Sequence, residues 1–391
     1  MTIYRDIQAT LNRAAAGYPV VTMTGPRQSG KTTLCRKVFD RHAYVTLESP
    51  DVRRFATEDP RGFLSQYAAG AVFDEFQRAP ELASYIQEAV DLDPQPGRFI
   101  LTGSQHLGLS NTVSQSLAGR TAVLTLLPPS LDELSRFDTP PQGLFETLAT
   151  GSYPAIFDRH LAPWDWYGNY VRTYIERDVR EILNVADLIS FQNFIELCAG
   201  SCGQLLNLSS LGAAAGISQS TAKAWLSVLE ATLIGFRLRP YFANLKKRLV
   251  KTPKFYFYDT GLLCYLLGIR DGEQLRRHPS RGAIFETWVI TEMMKAHYNS
   301  GLRLPATFYR DKQGLEVDLL LETPQGTTAI EIKSGQTVST DFFKPMNKLG
   351  ASWPATEGVL KRMLIYGGEV PQERTQVQVL PWNQTYSYWH A

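Results

Sequence analysis

The segment TGPRQSGKTTL, from Thr24 to Leu34, places two glycines, a lysine and a hydroxyl residue directly after the apolar run VVTM. Glycine adopts backbone conformations that residues with a Cβ avoid, so the N–H groups of such a loop can turn inward around a phosphate. Lys31 adds a positive charge, Thr32 is placed to bind Mg²⁺ through its hydroxyl, and the helix that follows points its positive dipole end at the phosphates. The pattern predicts a site for ATP and Mg²⁺. Its predicted binding residues are Gly25, Pro26, Arg27, Gln28, Ser29, Gly30, Lys31, Thr32 and Thr33.

An acidic pair ends a later apolar run, AGAVFDEFQ, as an ATP-hydrolysing site requires. Asp74 is expected in the outer shell of the metal ion, and Glu75 is expected to polarise the attacking water. We therefore predict that Glu75 is catalytic.

Several other polar residues are candidates for contact with the γ-phosphate. Ser104 or Gln105, at the end of RFILTGSQ, would sense it by a hydrogen bond, or form an ordinary turn. Arg120, in SLAGRT, would act as an arginine finger in cis or from a neighbouring subunit, or cap a surface loop. Arg177 and Arg180 are further candidates, with a structural ion pair as the alternative.

The elements that would position these residues follow an α/β rhythm. The short apolar runs VVTMT, AYVTLE, GAVFDE, RFILTGS and TAVLTLL alternate with helical patterns. This rhythm predicts a parallel sheet covered on both faces. Residues 131 to about 200 have a helical pattern and are predicted to form a lid.

Residues 201–268 predict a helix-turn-helix followed by a wing. Gly216 marks the turn and Ser218 the N-cap of the second helix. The segment from Arg237 to Lys254 contains seven basic residues and no acidic one, interleaved with Tyr241 and Phe242. This composition favours contact with DNA phosphates, with a protein contact or internal packing as the alternative.

The last part of the chain contains acidic residues in apolar surroundings. Glu286 lies in a helix among apolar side chains, where an unpaired carboxylate would be costly. Asp318 in EVDLLL, and Glu331 and Lys333 in AIEIKSG, lie on two strands that would form a hairpin around PQ. Residue numbers summing to 649 would pair Asp318 with Glu331 and Glu316 with Lys333, all on one face. Facing carboxylates are explained if a cation lies between them.

Charge and cysteine content limit the remaining function classes. The 40 basic and 38 acidic residues nearly balance, so any case for nucleic acid is local. Cys35, Cys198, Cys202 and Cys264 lack the spacing of a metal site and are expected to be buried thiols of a reducing compartment. No apolar stretch suits a signal peptide or a membrane span, so we expect a cytoplasmic protein with no membrane partner.

The motifs TGPRQSGKTTL, VFDEFQRAPEL, ILTGSQ and LAGR, with the helical and winged-helix segments after them, resemble one family over nearly the whole chain. It comprises prokaryotic AAA-type ATPases with a C-terminal uncharacterised domain that carries a restriction-endonuclease-like motif. The resemblance implies an AAA-type core in which Lys31, Thr32, Asp74 and Glu75 have the roles given above. By analogy it also implies a homo-oligomer.

A helix Glu, a strand Asp and a Glu-x-Lys also match the PD-(D/E)xK nuclease pattern. By that resemblance Glu286, Asp318 and Glu331 would bind Mg²⁺, and Lys333 would orient water for phosphodiester cleavage. The alternatives are a solvent-facing hairpin with ordinary charge pairs and a nuclease fold whose chemistry has lapsed.

The expected fold is α/β: a P-loop NTPase (AAA-type) parallel sheet with a helical lid, a winged helix and a C-terminal restriction-endonuclease-like α/β domain. The expected boundaries are 1–130, 131–200, 201–268 and 269–391. The leading hypothesis is an Mg-dependent ATPase that couples nucleotide state to a winged-helix and nuclease-like module acting on DNA. The alternatives are a nucleotide-gated binding or regulatory module without nuclease activity, and an ATP-controlled nuclease.

Overall fold

The computed structural model describes residues 3–103, 116–175, 187–241, 251–324, 326–354, 356 and 358–390. Ser104, Gln105, Arg177 and Arg180 lie outside these residues, so the predictions made for them stay predictions.

Five parallel strands form the first sheet, in the order β2-β3-β4-β1-β5. The strands are β1 (Val20–Thr24), β2 (Ala43–Thr46), β3 (Ala71–Asp74), β4 (Phe99–Gly103) and β5 (Thr121–Thr125). Each of the five apolar runs is a strand, and every pairing between them is parallel. The predicted parallel sheet is therefore confirmed, and its strands end at one common edge.

Helices cover both faces of this sheet. They are α1 (Gln8–Gly17), α2 (Lys31–Val38), α3 (Pro50–Glu58), α4 (Pro60–Ser65) and α5 (Leu82–Leu92), with a 3-10 turn at Phe76–Arg78. Consecutive strand residues point to opposite faces, so Phe73 and its neighbour Val72 lie in different apolar cores. Burial on both faces explains why the strands read as continuous apolar runs.

The next segment is helical, as predicted for the lid. Its helices are α6 (Leu131–Leu134), α7 (Leu144–Thr150), α8 (Pro154–Asp158), α9 (Pro163–Tyr170) and α10 (Leu188–Gly200), with a π-helical turn at Val171–Ile175. Pro154 and Pro163 each begin a helix, where a missing N–H costs no hydrogen bond. Ser130 and Glu133 form a capping box at α6.

Two helices and a two-stranded antiparallel sheet form the middle segment. They are α11 (Leu208–Ala214), α12 (Gln219–Ala231), β6 (Gly235–Leu238) and β7 (Lys254–Phe257). Gly216 has φ +71° in the turn, and the Ser218 side chain accepts a hydrogen bond from the backbone N–H of Thr221. The segment thus contains two helices joined by a turn, followed by two paired strands.

The structure describes four of the seven cations of the predicted basic surface, and one of these four is buried. Residues 242–250, with Phe242 and three of the seven cations, lie outside the described ranges. Among the described cations, Arg237 forms an ion pair with Glu230 at 2.5 Å. Lys254 is only 2% exposed, so it faces the interior rather than a phosphate backbone.

A long helix and a six-stranded mixed sheet form the last part of the chain. The helices are α13 (Thr260–Leu266), α14 (Gly272–Arg277), α15 (Arg281–Asn299), α16 (Lys344–Ala351) and α17 (Thr385–His390), with 3-10 turns at Thr340–Phe343 and Trp382–Gln384. The strands are β8 (Ala306–Arg310), β9 (Glu316–Thr323), β10 (Gly326–Lys333), β11 (Leu360–Tyr366), β12 (Gln372–Arg374) and β13 (Val377–Pro381). Their order is β12-β13-β11-β10-β9-β8.

The β9–β10 hairpin has the predicted register. Its pairs run from Thr323 with Gly326 to Leu319 with Ile330, and their residue numbers sum to 649. Beyond the last pair, the Asp318 carboxylate accepts a hydrogen bond from the Ile332 N–H at 2.7 Å. The register therefore brings the strand carboxylates to the same end of the hairpin.

One apolar core joins the helical, middle and last segments. It contains Phe194 of α10, Trp225 of α12, Phe257 of β7, Trp288 of α15 and Ile330 of β10. The four cysteines are buried and free, as expected. Among the described residues, every helix is too short or too polar to cross a membrane.

Candidate functional site

The phosphate loop, residues 25–30 between β1 and α2, depends on two glycines. Gly25 has φ +157°, and a Cβ there would lie 2.2 Å from the carbonyl oxygen of Leu126. Gly30 has φ +97° and immediately precedes α2. Glycine alone combines this close backbone approach with these dihedral angles without strain.

Replacing Gly25 with alanine is expected to weaken ATP binding by about 5- to 150-fold, the equivalent of roughly 1–3 kcal/mol of backbone strain. The added Cβ forces the loop away from Leu126, which displaces the N–H groups that would face phosphate. Titration with a fluorescent ATP analogue measures the effect. Gly17→Ala is the matched control, since a Cβ there meets nothing within 4 Å. Equal affinity for Gly25→Ala and the unaltered protein would contradict the geometry.

The Lys31 ammonium lies inside the phosphate loop. It donates hydrogen bonds to the carbonyl oxygens of Gly25 at 2.9 Å and Pro26 at 2.7 Å. Burial lowers the pKa of Lys31 to about 8, although the carboxylates of Glu75 and Asp74 oppose the shift. The buried Ser29 hydroxyl has no hydrogen-bond partner among the described residues. A buried cation, an unpaired hydroxyl and a glycine cradle form a donor set that suits a phosphate.

Arg5 holds this loop in place through hydrogen bonds to backbone carbonyls, a role that no local pattern predicted. Its Nη1 donates to the Ser29 carbonyl at 3.0 Å and its Nη2 to the Leu127 carbonyl at 2.8 Å. Its Nε lies 3.0 Å from the Glu133 carboxylate. One buried guanidinium thus joins the phosphate loop to the chain after β5.

Asp74 and Thr32 meet where a metal ion was predicted. The Thr32 hydroxyl lies 3.1 Å from each Asp74 carboxylate oxygen. Tyr44 donates to the same carboxylate at 2.8 Å, and Thr102 also donates to it. These two partners, on β2 and β4, were missed. The signal that could have identified them is the parallel sheet itself, in which β2 and β4 lie on either side of β3 and its Asp74.

Glu75 has an unusual backbone conformation. Its φ is +56° and its ψ is +41°, the left-handed region that a residue with a Cβ enters at a cost. Its carboxylate accepts a hydrogen bond from the Gln77 amide. Strained residues of this kind concentrate at active sites, which supports the role predicted for Glu75.

A cavity of about 430 Å³ connects these groups. Lys31, Thr32 and Glu75 line one wall, and helix α8 contributes Pro154 and Ala155 to the other. This volume lies within the range of small-molecule sites, and its polar and apolar walls suit a phosphate chain and a base. No motif in the sequence predicted the apolar wall. This wall also includes Ile3, Pro129 and Phe137, and Asp158 and Arg159 lie beside it.

Arg120 does not reach this cavity, so its predicted role in cis is wrong. Its carbonyl accepts from the N–H of Val20, at the start of β1, whereas the phosphate loop follows the other end of that strand. Its guanidinium binds the Asp91 carboxylate at 2.5 and 2.8 Å. A role in a neighbouring subunit stays a prediction.

The four residues of the nuclease-like pattern lie together at a second site. They are Glu286, Asp318, Glu331 and Lys333. We call Glu286, Glu316, Asp318 and Glu331 the acidic cluster. Lys333 Nζ lies 3.0 Å from Asp318 and 2.6 Å from Glu331. Burial, reinforced by the charge of Asp318, raises the pKa of Glu286 to about 7 and that of Glu331 to about 8. These residues, which are distant in the sequence, lie close together in the structure.

Two residues of β7, a strand in the segment predicted to form the wing, contact the acidic cluster. Lys254 Nζ lies 3.3 Å from Glu286 and 2.6 Å from Glu316, and the Tyr256 hydroxyl donates to Glu286 at 2.5 Å. Within the described part of the chain, no three Asp, Glu, His or Cys side chains are arranged to hold a metal ion. The predicted ligands are thus assembled, but their immediate cations are Lys254 and Lys333.

Family models match three successive parts of the chain. Residues 17–135 match the family described as an AAA domain. Residues 141–273 and 281–385 match two domains of unknown function, DUF8612 and DUF4143. The phosphate loop, Asp74 and Glu75 lie in the first match, and the acidic cluster lies in the third.

Two curated relatives span most of the chain. The uncharacterised proteins Mb2031c of Mycobacterium bovis and Rv2008c of Mycobacterium tuberculosis are each 33% identical to it over 340 residues. Each alignment covers 86% of this chain and 75% of the relative.

Solved structures show weaker similarity. The Walker-type ATPase PABY2304 of Pyrococcus abyssi is 16% identical, with 67% of this chain and 94% of that chain covered and a TM-score of 0.44. AMPPCP-bound DnaA from Aquifex aeolicus is 13% identical, with 57% and 85% covered and a TM-score of 0.31. At these scores the architecture rests on the strands and contacts described above.

Proposed function

The chain belongs to the family of these mycobacterial proteins, and from that premise we propose that it binds and hydrolyses ATP with Mg²⁺ at the cavity beside the phosphate loop. One observation carries the proposal: Lys31, Thr32 and Glu75 line one cavity, and Thr32 contacts Asp74. A cation for phosphate, ligands for a metal and a base for water are thus in one place.

Each residue has a distinct part in the proposed reaction. The loop N–H groups and Lys31 hold the phosphates, and Thr32 and Asp74 would hold the metal ion. Bound Mg²⁺ supplies positive charge to the phosphate oxygens. Glu75 orients the attacking water and accepts its proton. Pro154 and Ala155, on the apolar wall of the cavity, would contact the base and exclude water from it.

Replacing Lys31 with alanine is expected to weaken ATP binding by about 10- to 150-fold, because a hydrogen bond to a charged group contributes roughly 1.5–3 kcal/mol. Calorimetric titration with ATP and Mg²⁺ measures the loss. Lys37→Ala, on the same helix but exposed, is the matched control. The proposal fails if Lys31→Ala binds and hydrolyses ATP as well as the unaltered protein.

A buried polar network supports coupling between this cavity and the last segment. Lys295 of α15 donates to the carbonyl of Pro129, a residue that lines the cavity, at 2.9 Å. Glu292 of the same helix accepts from the Leu131 N–H at 2.9 Å. Helix α15 also carries Glu286 of the acidic cluster. A movement of the cavity wall at Pro129 would therefore displace this helix through these hydrogen bonds. Such coupling suits a nucleotide-driven machine or switch.

A second candidate function is metal-dependent phosphodiester cleavage by the acidic cluster, with DNA as substrate. The observation that favours it is the convergence of Glu286, Asp318, Glu331 and Lys333. Incubation of single-stranded, linear and supercoiled DNA with Mg²⁺ or Mn²⁺, with and without ATP, tests it against Asp318→Ala. Cleavage lost in the variant supports a nuclease. The absence of cleavage on all substrates favours the alternative, a nucleotide-gated binding module without nuclease activity.

One arginine-finger candidate, Arg120, would act only between copies of the chain. Because Arg120 lies at the far end of its own sheet, it could serve only a neighbouring subunit's ATP. We therefore link the proposed homo-oligomer to this residue. Cross-complementation of Arg120→Ala with Lys31→Ala chains tests both, since mixed oligomers would regain hydrolysis.

A further inference from the structure

Lys254 is an unusual residue for the interior of a protein. It begins β7 and is 2% exposed. Its ammonium group lies 2.6 Å from Glu316, 3.3 Å from Glu286 and 5.3 Å from the ring centre of Phe308. Lysine is almost never fully buried unless it is paired. Here, strand β7 of the middle segment inserts a cation between two carboxylates of the last segment.

Glu331 is the most deeply buried member of the acidic cluster. Glu331 is 1% exposed, and one of its carboxylate oxygens has no hydrogen-bond partner among the residues described. The cations facing the cluster are Lys254, Lys333 and Arg310, which binds Glu316 at 2.9 Å. A buried oxygen without a partner beside other carboxylates is the donor type that Mg²⁺ and Mn²⁺ select.

We propose that Lys254 is an intramolecular competitor for a divalent cation at the acidic cluster. Its ammonium group occupies the space between Glu286 and Glu316, and a metal ion binds tightly only when Lys254 is withdrawn. The proposal rests on the C-terminal metal site suggested above and adds its regulation.

The position of β7 makes this competition controllable. Tyr256 lies two residues after Lys254, on the same face of the strand, and its hydroxyl donates to Glu286. The two side chains therefore enter and leave the acidic cluster together. Movement of β7 relative to α15 would change both the charge and the hydrogen bonding of Glu286. The middle segment thus acts as a gate for cations.

The test compares Mn²⁺ binding by the full-length protein and by Lys254→Met, without nucleotide, from the electron paramagnetic resonance signal of free Mn²⁺. We expect at least tenfold tighter binding by Lys254→Met, since the competing charge is gone. Lys254→Arg, which keeps the charge, should bind as weakly as the unaltered protein. Lys251→Met, an exposed lysine three residues earlier, is the matched control.

A second measurement keeps the test decisive if Lys254→Met folds poorly. Lys254→Gln removes the charge but keeps a hydrogen-bond donor, and Mn²⁺ should raise its Tm more than that of the unaltered protein. Adding Asp318→Asn should abolish both gains. If both proteins bind Mn²⁺ equally and Asp318→Asn removes that binding, the metal site stands and the gate is wrong. If neither protein binds Mn²⁺, both are wrong.

Discussion

Replacing Glu75 with glutamine is expected to lower kcat for ATP hydrolysis by about 10²- to 10⁴-fold, the usual contribution of a positioned general base. ATP affinity should stay close to that of the unaltered protein, because glutamine keeps the size of the side chain. The substitution removes only the ability to accept a proton from water.

The structure gives this prediction its physical basis. Glu75 lines the same cavity as Lys31, and its left-handed backbone conformation places the carboxylate directly after β3. The hydrogen bond from Gln77 holds the carboxylate in that position. A strained backbone that a bulky residue tolerates only at a cost is best explained if the carboxylate must be where it is.

Single-turnover hydrolysis and titration with a fluorescent ATP analogue separate chemistry from binding. Glu81→Gln, an exposed carboxylate a few residues later, is the matched control and should hydrolyse ATP normally. A Glu75→Gln protein that turns over as fast as the unaltered one would remove Glu75 from the mechanism. One that no longer binds ATP would show that the carboxylate is needed for structure rather than for proton transfer.

The same variant distinguishes a machine from a switch. Because Glu75→Gln slows hydrolysis without displacing ATP, it prolongs the ATP-bound form. DNA affinity measured in ATP and in ADP would then report whether nucleotide state controls a partner. Equal affinities would argue against a DNA switch.

Local patterns predicted what depends on neighbours in the chain. The five strands were predicted from short apolar runs. The pairing register of the β9–β10 hairpin was predicted by counting residues across its turn. The phosphate loop and the acidic pair were predictable because each is a short segment with its own chemistry. Their fold context, a strand before and a helix after, is equally local.

Contacts between distant segments were not predictable in this way. Arg5 binds the Leu127 carbonyl 122 positions away. Lys254 was counted among the basic residues that favour contact with DNA, although it is buried against Glu286. Neither leaves a periodic trace in the sequence. The error for Arg120 was avoidable. It precedes a strand, and the starts of parallel strands lie at the edge opposite the phosphate loop.

The buried ion pair of α15 leads to the second large effect. Lys295→Met is expected to lower the free energy of unfolding by about 3–5 kcal/mol, because it leaves a buried carboxylate without its cation. Lys295 Nζ lies 2.7 Å from Glu292 and 3.1 Å from the Ser152 hydroxyl. The two side chains are 3% and 1% exposed. Burial raises the pKa of Glu292, because water no longer solvates its charge.

Urea unfolding followed by tryptophan fluorescence measures this loss, and the chain supplies its own control. Asp341 and Lys344 form an ion pair with the same i,i+3 spacing, but both side chains are 68% exposed. Lys344→Met should change stability far less, because water screens the exposed charges. Adding Glu292→Gln to Lys295→Met should restore part of the stability, since a neutral amide still accepts from the Leu131 N–H.

Equal losses for Lys295→Met and Lys344→Met would mean that the α15 pair is not the anchor described here. A large loss rescued by Glu292→Gln would show that the charge pair, rather than packing, holds α15 against the wall of the ATP cavity.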